Sequence, residues 1–67
     1  MKVKIVHATQ GCENTSCPTI YVNEQGNYVI QGFKIKPTDK KGLNLPQGED
    51  AVEIPADFLK AFIAKQQ

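Results

Sequence analysis

The chain has 67 residues, 40% of them hydrophobic and 22% charged, with a formal net charge of +1. Because so short a chain buries only about 60% of its unfolded surface, we expect one small domain over residues 1–67 and no deep cofactor cleft. The balanced, fairly apolar composition excludes wholesale disorder. No apolar run approaches the roughly 18 residues that cross a bilayer, and the N-terminus does not resemble a signal peptide. We therefore expect a cytoplasmic protein with no membrane partner.

The positive charges are all lysines, eight in number, since the sequence has no arginine. Arginine's planar guanidinium makes bidentate contacts to phosphate and guanine, whereas lysine offers a mobile point charge. A nearly neutral chain without arginine lacks the usual basic footprint of a nucleic-acid binder. Tyr21, Tyr28 and Phe33 could stack on single-stranded bases, but Tyr28 and Phe33 are expected in the core. Nucleic acid is therefore not the expected partner.

The first half of the chain predicts two strand regions and a hairpin. Residues 2–7 alternate with period two, which predicts a half-buried strand with Val3, Ile5 and His7 on one face. Pro18 cannot donate to a β-ladder, so a second strand should begin at Thr19. Residues 19–22 and 28–30 are rich in β-branched and aromatic side chains. The Gly- and Asn-containing segment 23–27 between them predicts a hairpin turn.

Strict alternation after residue 28 mixes apolar and polar side chains on both faces of the third strand. A β-bulge at Gly32, which glycine tolerates well, sorts the two faces better. It predicts four inward side chains: Tyr28, Ile30, Phe33 and Ile35.

Residues 36–48 contain two prolines and two glycines, which predicts mostly loop, with Leu43 and Leu45 pinning it to the core. Residues 45–48 suit a type I turn, with proline second and glycine fourth. A short strand is predicted over residues 51–54, with Val52 and Ile54 inward.

Pro55 can close this strand and sit in the first turn of a helix over residues 56–65. The helix carries one apolar stripe, formed by Phe58, Leu59, Phe62 and Ile63. The predicted fold class is α+β: a small, twisted antiparallel sheet of three or four strands with one C-terminal helix packed on it.

The cysteine pair Cys12 and Cys17, with His7 upstream, is the candidate metal or redox cluster. Two reduced structural thiols, a disulfide or reversible redox pair, and a metal site all remain open. A metal site would lack a fourth ligand, and the C-x-x-C spacing of thioredoxin-like proteins is absent. His7, on the predicted apolar face, is expected to be a hydrogen-bonded, semi-buried side chain more than a ligand.

Catalytic motifs are missing from the sequence. It shows no defensible carboxylate pair, no G-x-S-x-G frame around Ser16 and no glycine-rich phosphate loop. We expect no enzymatic activity and no cofactor. The candidate interaction surface consists of Tyr21, Gln31, Lys34 and Lys36.

Four short motifs together resemble a family of small uncharacterised bacterial proteins of similar length. They are Ser16-Cys17-Pro18-Thr19, Tyr28-Val29-Ile30-Gln31-Gly32, Leu45-Pro46-Gln47-Gly48-Glu49 and Val52-Glu53-Ile54-Pro55. In actinobacteria such proteins are often encoded beside helix-turn-helix regulators. The resemblance implies an accessory partner in a regulatory pair and supplies no catalytic residues. Residues 36–42 depart from the Thr-Asp-Pro-type connection of that family, so contacts made by this loop are not carried over.

A second likeness is to swapped-hairpin transcription factors, in which a strand ending in Ile-Pro leads into a helix, as Ile54-Pro55 does here. Those domains present arginines to DNA, and this chain has none. We therefore expect a non-enzymatic interaction module that binds a protein partner or self-associates. A thiol-redox or metal sensor and a weak DNA-binding domain are the alternatives.

Overall fold

The fold centres on a three-stranded antiparallel sheet and a C-terminal helix, in a computed structural model that describes residues 1–9 and 17–66. The sheet order is β1–β2–β3, with β1 Val3–Ala8, β2 Thr19–Asn23 and β3 Tyr28–Gln31. A second antiparallel pair joins β4 (Phe33–Lys34) to β5 (Val52–Glu53). Helix α1 (Pro37–Lys40) lies between β4 and β5, and α2 (Ala56–Lys65) follows β5. The predicted α+β class is confirmed.

The predicted hairpin between β2 and β3 is confirmed in detail. The backbone N–H of Asn23 donates to the Asn27 carbonyl at 2.9 Å, and that of Gly26 donates to the Asn23 carbonyl at 3.0 Å. The Asn23 side-chain Oδ1 accepts from the backbone N–H groups of Gln25 and Asn27. Gly26 has a φ of +84°, a left-handed conformation that glycine adopts without steric cost. Local chemistry therefore fixes this turn.

Strand β1 corrects the alternation predicted from the sequence. Ile5 lies opposite Tyr21, but His7 lies opposite Ile20, so Val6 is the extra residue of a β-bulge. A bulge moves the following side chain to the other face of the sheet. Ile5 is therefore 59% exposed on one face, whereas His7 is 8% exposed on the other. Val6 packs against the core.

Gly32 marks a change of sheet and not the bulge that the sequence predicts. β3 ends at Gln31 as a neighbour of β2, and β4 begins at Phe33 as a neighbour of β5. An ideal Cβ at Gly32 would lie 2.7 Å from the Glu53 carbonyl oxygen and 2.8 Å from Ile54 Cγ2. Only glycine permits this close approach of β5.

The side chains predicted to point inward from this region are mostly exposed. Tyr28, Ile30 and Phe33 are 55%, 42% and 39% exposed, and Ile35 is half-buried. Tyr28 and Ile30 do lie on the α2 side of the sheet, as predicted, but they are not buried. Val52, also predicted inward, is 44% exposed, whereas Ile54 packs against the core.

The predicted loop over residues 36–48 contains one turn of helix, α1, with Pro37 at its first position. Leu43 is 45% exposed and does not pin the segment to the core, while Leu45 is half-buried. The turn also lies one residue later than predicted. Glu49 N–H donates to the Pro46 carbonyl at 3.1 Å, and Gly48, third in that turn, has a φ of +94°. A positive φ there defines a type II turn instead of the predicted type I.

Helix α2 has the predicted bounds but buries only half of its apolar stripe. Pro55 is the N-cap residue, and its carbonyl accepts from the N–H groups of Phe58 and Leu59. Phe58 and Phe62 are each 8% exposed and form the core with Ile20, which is 1% exposed. Leu59 and Ile63 remain 38% and 49% exposed. No helix in residues 1–9 and 17–66 is both long and apolar enough to cross a membrane.

The segment after α1 is tied back to it by one ion pair, which gives a pH prediction. Lys40 Nζ lies 2.9 Å from Asp50 Oδ1, and this hydrogen bond, the Ala51 N–H and the lysine charge lower the pKa of Asp50 below 3.8. A carboxyl with a lowered folded-state pKa stabilises the fold above its unfolded pKa, and the contribution is lost as the pH falls through the folded pKa.

We therefore expect Asp50→Asn to remove a small contribution near neutral pH, and the melting temperatures of the variant and the wild type to converge below pH 3.8. Because the carboxyl is exposed, the effect should shrink in high salt. Thermal melts at several pH values measure it, with Asp39→Asn as the control. A difference in melting temperature between the variant and the wild type that grows as the pH falls would contradict a lowered pKa of Asp50.

Candidate interaction surface

His7 joins the sheet to α2 through both ring nitrogens. Nε2 lies 3.1 Å from the Phe58 carbonyl oxygen, which can only accept, so Nε2 carries the proton. Nδ1 is then the acceptor for Lys65 Nζ at 3.1 Å, and this ammonium also donates to the Val6 carbonyl at 3.2 Å. The ring packs 4.4 Å from that of Phe58 and 5.5 Å from that of Phe62, measured between centroids.

This arrangement confirms that His7 is hydrogen-bonded and buried. Both nitrogens are used by the fold, because one binds a helix carbonyl and the other a lysine. The suggested metal or redox role of His7 stays a prediction. Within residues 1–9 and 17–66, no group of three His, Cys, Asp or Glu side chains is placed to hold a metal ion.

Of the two cysteines, Cys12 lies outside the described residues, so the predicted metal or redox role of Cys12 falls outside them too. Cys17 is half-buried and disulfide-bonded. Its carbonyl oxygen accepts from Thr19 Oγ1 at 3.4 Å and from Gln31 Nε2 at 3.2 Å. The backbone at Cys17 is therefore held against the start of β2 and the end of β3.

One face of the three-stranded sheet points away from α2. Ile20 is buried beneath the helix, and its neighbours along β2 point to the opposite face because side chains alternate along a strand. There Ile5, Tyr21 and Val29 lie directly opposite one another on the three strands. Ile5 is 59% exposed, and the other two are half-buried. We call Ile5, Tyr21, Val29 and Gln31 the outer face.

The structure brings two of the predicted surface residues together on the outer face. The Tyr21 hydroxyl donates to Gln31 Oε1 at 2.8 Å, while Gln31 Nε2 donates to the Cys17 carbonyl. Both ends of the Gln31 amide are thereby fixed. The outer face thus combines an apolar row across three strands with an oriented polar edge.

Lys34 and Lys36, the other two predicted surface residues, lie beyond Gly32. Lys34 belongs to β4 opposite Val52 and lines a cleft of about 490 Å³ together with Lys40 and Asp50. In the described part of the chain, no hydrogen bond connects either lysine to Tyr21 or Gln31. The predicted four-residue surface is therefore two separate regions.

A second apolar region, which the sequence prediction missed, lies on the helix side of the sheet. Phe62 of α2 contacts Tyr28 of β3 edge-to-face, with the ring centroids 5.5 Å apart. Around the helix axis, Leu59 and Ile63 lie about 100° and 140° from Phe58. Asp57 and Ala61 lie on the other flank, where they line a cleft together with His7 and Ala8 of β1.

Leu59 and Ile63 therefore lie on the β3 side of the helix. Tyr28, Ile30, Leu59 and Ile63 are 38–55% exposed, and we call them the β3–α2 surface. The sequence did hold a signal for this region. Leu59 and Ile63 belong to the apolar stripe recognised from the sequence, which spans about 140° of the helix surface, but the sequence assigned the whole stripe to the core.

No family model matches the chain, and no curated protein or solved structure shows a significant similarity to it. The class of protein is therefore defined by its own architecture, a three-stranded antiparallel sheet with one C-terminal helix. The function has to be argued from the two exposed surfaces and from Cys17.

Proposed function

We propose that the protein is a non-enzymatic interaction module, an accessory partner in a regulatory system, that binds another protein through the outer face. The observation that carries this proposal is the row of Ile5, Tyr21 and Val29 across the three strands, with Ile5 59% exposed. On the opposite face the helix covers Ile20, but the outer-face row has no covering element among the described residues.

The chemistry of the outer face supports protein recognition. Interfaces combine an apolar, often aromatic centre with a polar rim, and tyrosine is enriched among the residues that contribute most to binding. Tyr21 is already held by Gln31, so little side-chain entropy is lost when a partner docks. Because the row is small, we expect an interface at the low end of the size range, typical of transient regulatory complexes.

The cellular setting is part of this proposal. The likeness of four sequence motifs to small bacterial proteins encoded beside helix-turn-helix regulators suggests a cytoplasmic regulator as the partner. The shortage of buried side chains agrees with an interaction role, since Ile20, Phe58 and Phe62 are the only buried hydrophobic residues in the described part of the chain.

Site-specific photo-crosslinking in cells that naturally produce the protein tests the proposal. A photoreactive phenylalanine analogue at Tyr21 should give one discrete adduct on irradiation, whereas the same analogue at Gln25, in the hairpin turn, should not. The purified partner should then bind the wild type at least about tenfold more tightly than Ile5→Asp. No adduct at Tyr21 in any growth condition, or equal binding by Ile5→Asp, would overturn the proposal.

A second candidate function, thiol-redox sensing, is favoured by the position of Cys17. This residue is disulfide-bonded, and its carbonyl accepts from Gln31, which also holds Tyr21. An external dithiol would supply two electrons and two protons, break the S–S bond and leave two thiols while the dithiol becomes a disulfide. Reduction would then loosen the backbone that positions the outer face.

Nuclear magnetic resonance in defined dithiol/disulfide buffers tests this second function. We expect the Gln31 side-chain amide resonances to shift on reduction, and the Gly26 amide resonance in the distant hairpin turn to stay in place. An unchanged Gln31 amide after full reduction would exclude coupling between Cys17 and the outer face.

A further inference from the structure

The folded chain exposes more surface than a compact monomer of its mass. Its accessible surface is 5669 Å², whereas a compact 7.4 kDa monomer exposes about 4,200 Å². Among the described residues, the exposed apolar side chains on the α2 side of the sheet, Tyr28, Ile30, Leu59 and Ile63, contribute to this accessible area.

Strand β3 provides an open edge for an interface. It ends the sheet order β1–β2–β3 and has no neighbour on its other side among the described residues. Backbone bonding alternates along an antiparallel ladder, and Asn23 bonds to Asn27 at the turn. The N–H and C=O groups of Tyr28 and Ile30 consequently face away from β2.

The other edge of the sheet is protected, and this one is not. Proteins guard exposed edges with lysines, prolines and bulges. Strand β1 has a bulge at Val6 and a lysine at position 4, and Lys2 precedes it. Residues 27–31 contain no charged residue and no proline, and the β2–β3 register runs without a break.

The neutral character of β3 argues for a second copy as its partner. A two-fold axis brings a patch against itself, so any charge on β3 would meet its own like charge. If the two-fold axis passes through Val29, Tyr28 of each copy lies opposite Ile30 of the other copy. This aromatic–β-branched pairing is favourable, and Leu59 and Ile63 of each helix lie beside it.

We propose that two copies of the chain associate through the β3–α2 surface, with their β3 strands paired antiparallel. Three strands from each copy then form one continuous sheet, with both α2 helices on one face. The inference goes beyond the proposed function, because the outer faces stay exposed on the opposite side and side by side. A dimer would thus present the partner-binding row twice.

Sedimentation and hydrogen exchange of the full chain test the dimer. The wild type should have twice the chain mass at high concentration. The Tyr28 and Ile30 amides should become protected as concentration rises, while those of Val3 and Ile5, on the opposite edge, should not. Wild-type protein that stays monomeric, or protection confined to Val3 and Ile5, would overturn the proposal.

Two matched variants separate the dimer from the partner-binding function. Ile30→Lys places a charge at the β3 edge and should weaken dimerisation at least about tenfold while leaving partner binding per chain intact. Ile5→Lys, at a similarly exposed position of the other edge, should keep the dimer and lose the partner. If Ile30→Lys fails to fold, the concentration-dependent protection of the wild-type amides still decides the outcome. A folded Ile30→Lys that dimerises like the wild type would disprove the β3 contact.

Discussion

Replacing Phe62 with alanine is expected to cost this domain a large part of its free energy of unfolding at room temperature. Phe62 is 8% exposed and packs with Ile20 and Phe58, and its ring meets those of His7 and Tyr28, each at a centroid distance of 5.5 Å. Truncating a buried phenylalanine costs about 3–5 kcal/mol. A 67-residue domain has a total stability of about 3–10 kcal/mol, so about a third of it or more would be lost.

Urea titration followed by circular dichroism measures this effect, with Ile63→Ala as the control. Ile63 is the next residue in the same helix but is 49% exposed, so its truncation should cost less than about 1 kcal/mol in dilute, monomeric protein. The comparison holds helix propensity nearly constant, because both variants introduce alanine into α2. Equal destabilisation by the two variants would mean that α2 does not pack through Phe62.

The second large effect is expected for Gly32→Ala. The new Cβ would lie 2.7 Å from the Glu53 carbonyl oxygen, a backbone atom that cannot move without disturbing the β4–β5 pairing of Phe33 with Glu53. Overpacking of this kind costs about 1–3 kcal/mol. We therefore expect a lower unfolding midpoint and separation of β5 from β4.

Gly42→Ala is the matched control for this substitution. Its new Cβ would have the Asp39 carbonyl oxygen as its nearest atom, at 3.7 Å, which is ordinary van der Waals contact. Loss of glycine's freedom in the unfolded chain should make this variant neutral or about 0.4–1 kcal/mol more stable. If Gly32→Ala were as stable as Gly42→Ala, β5 could not approach Gly32 as closely as the structure shows.

The two proposed surfaces use alternate residues of the same strand. Val29 and Gln31 of β3 belong to the outer face, and Tyr28 and Ile30 belong to the β3–α2 surface. Because neighbouring side chains point to opposite faces, one short strand can serve both surfaces. Substitutions on one face should therefore leave the other function measurable, which is why the Ile5 and Ile30 variants form a useful pair.

The candidate site was predicted in part. Tyr21 and Gln31 were singled out from the sequence as surface residues, and they meet because the β2–β3 register places Tyr21 opposite Val29 and Thr19 opposite Gln31. Their separation from Lys34 and Lys36 was not predictable, since it depends on β5 taking over the pairing after Gly32. Nothing near Gly32 in the sequence indicates which distant strand approaches it.

The hydrophobic patterning of this 67-residue sequence, with its net charge of +1, correctly predicted the α+β class. Local chemistry also determined the hairpin at Asn23, the start of β2 after Pro18 and the bounds of α2, because each depends on residues close in sequence. Tertiary structure alone decided which apolar side chains are buried. Ile5 is exposed and His7 buried because of the bulge at Val6, and half of the α2 stripe stays exposed because burial depends on what packs against a face.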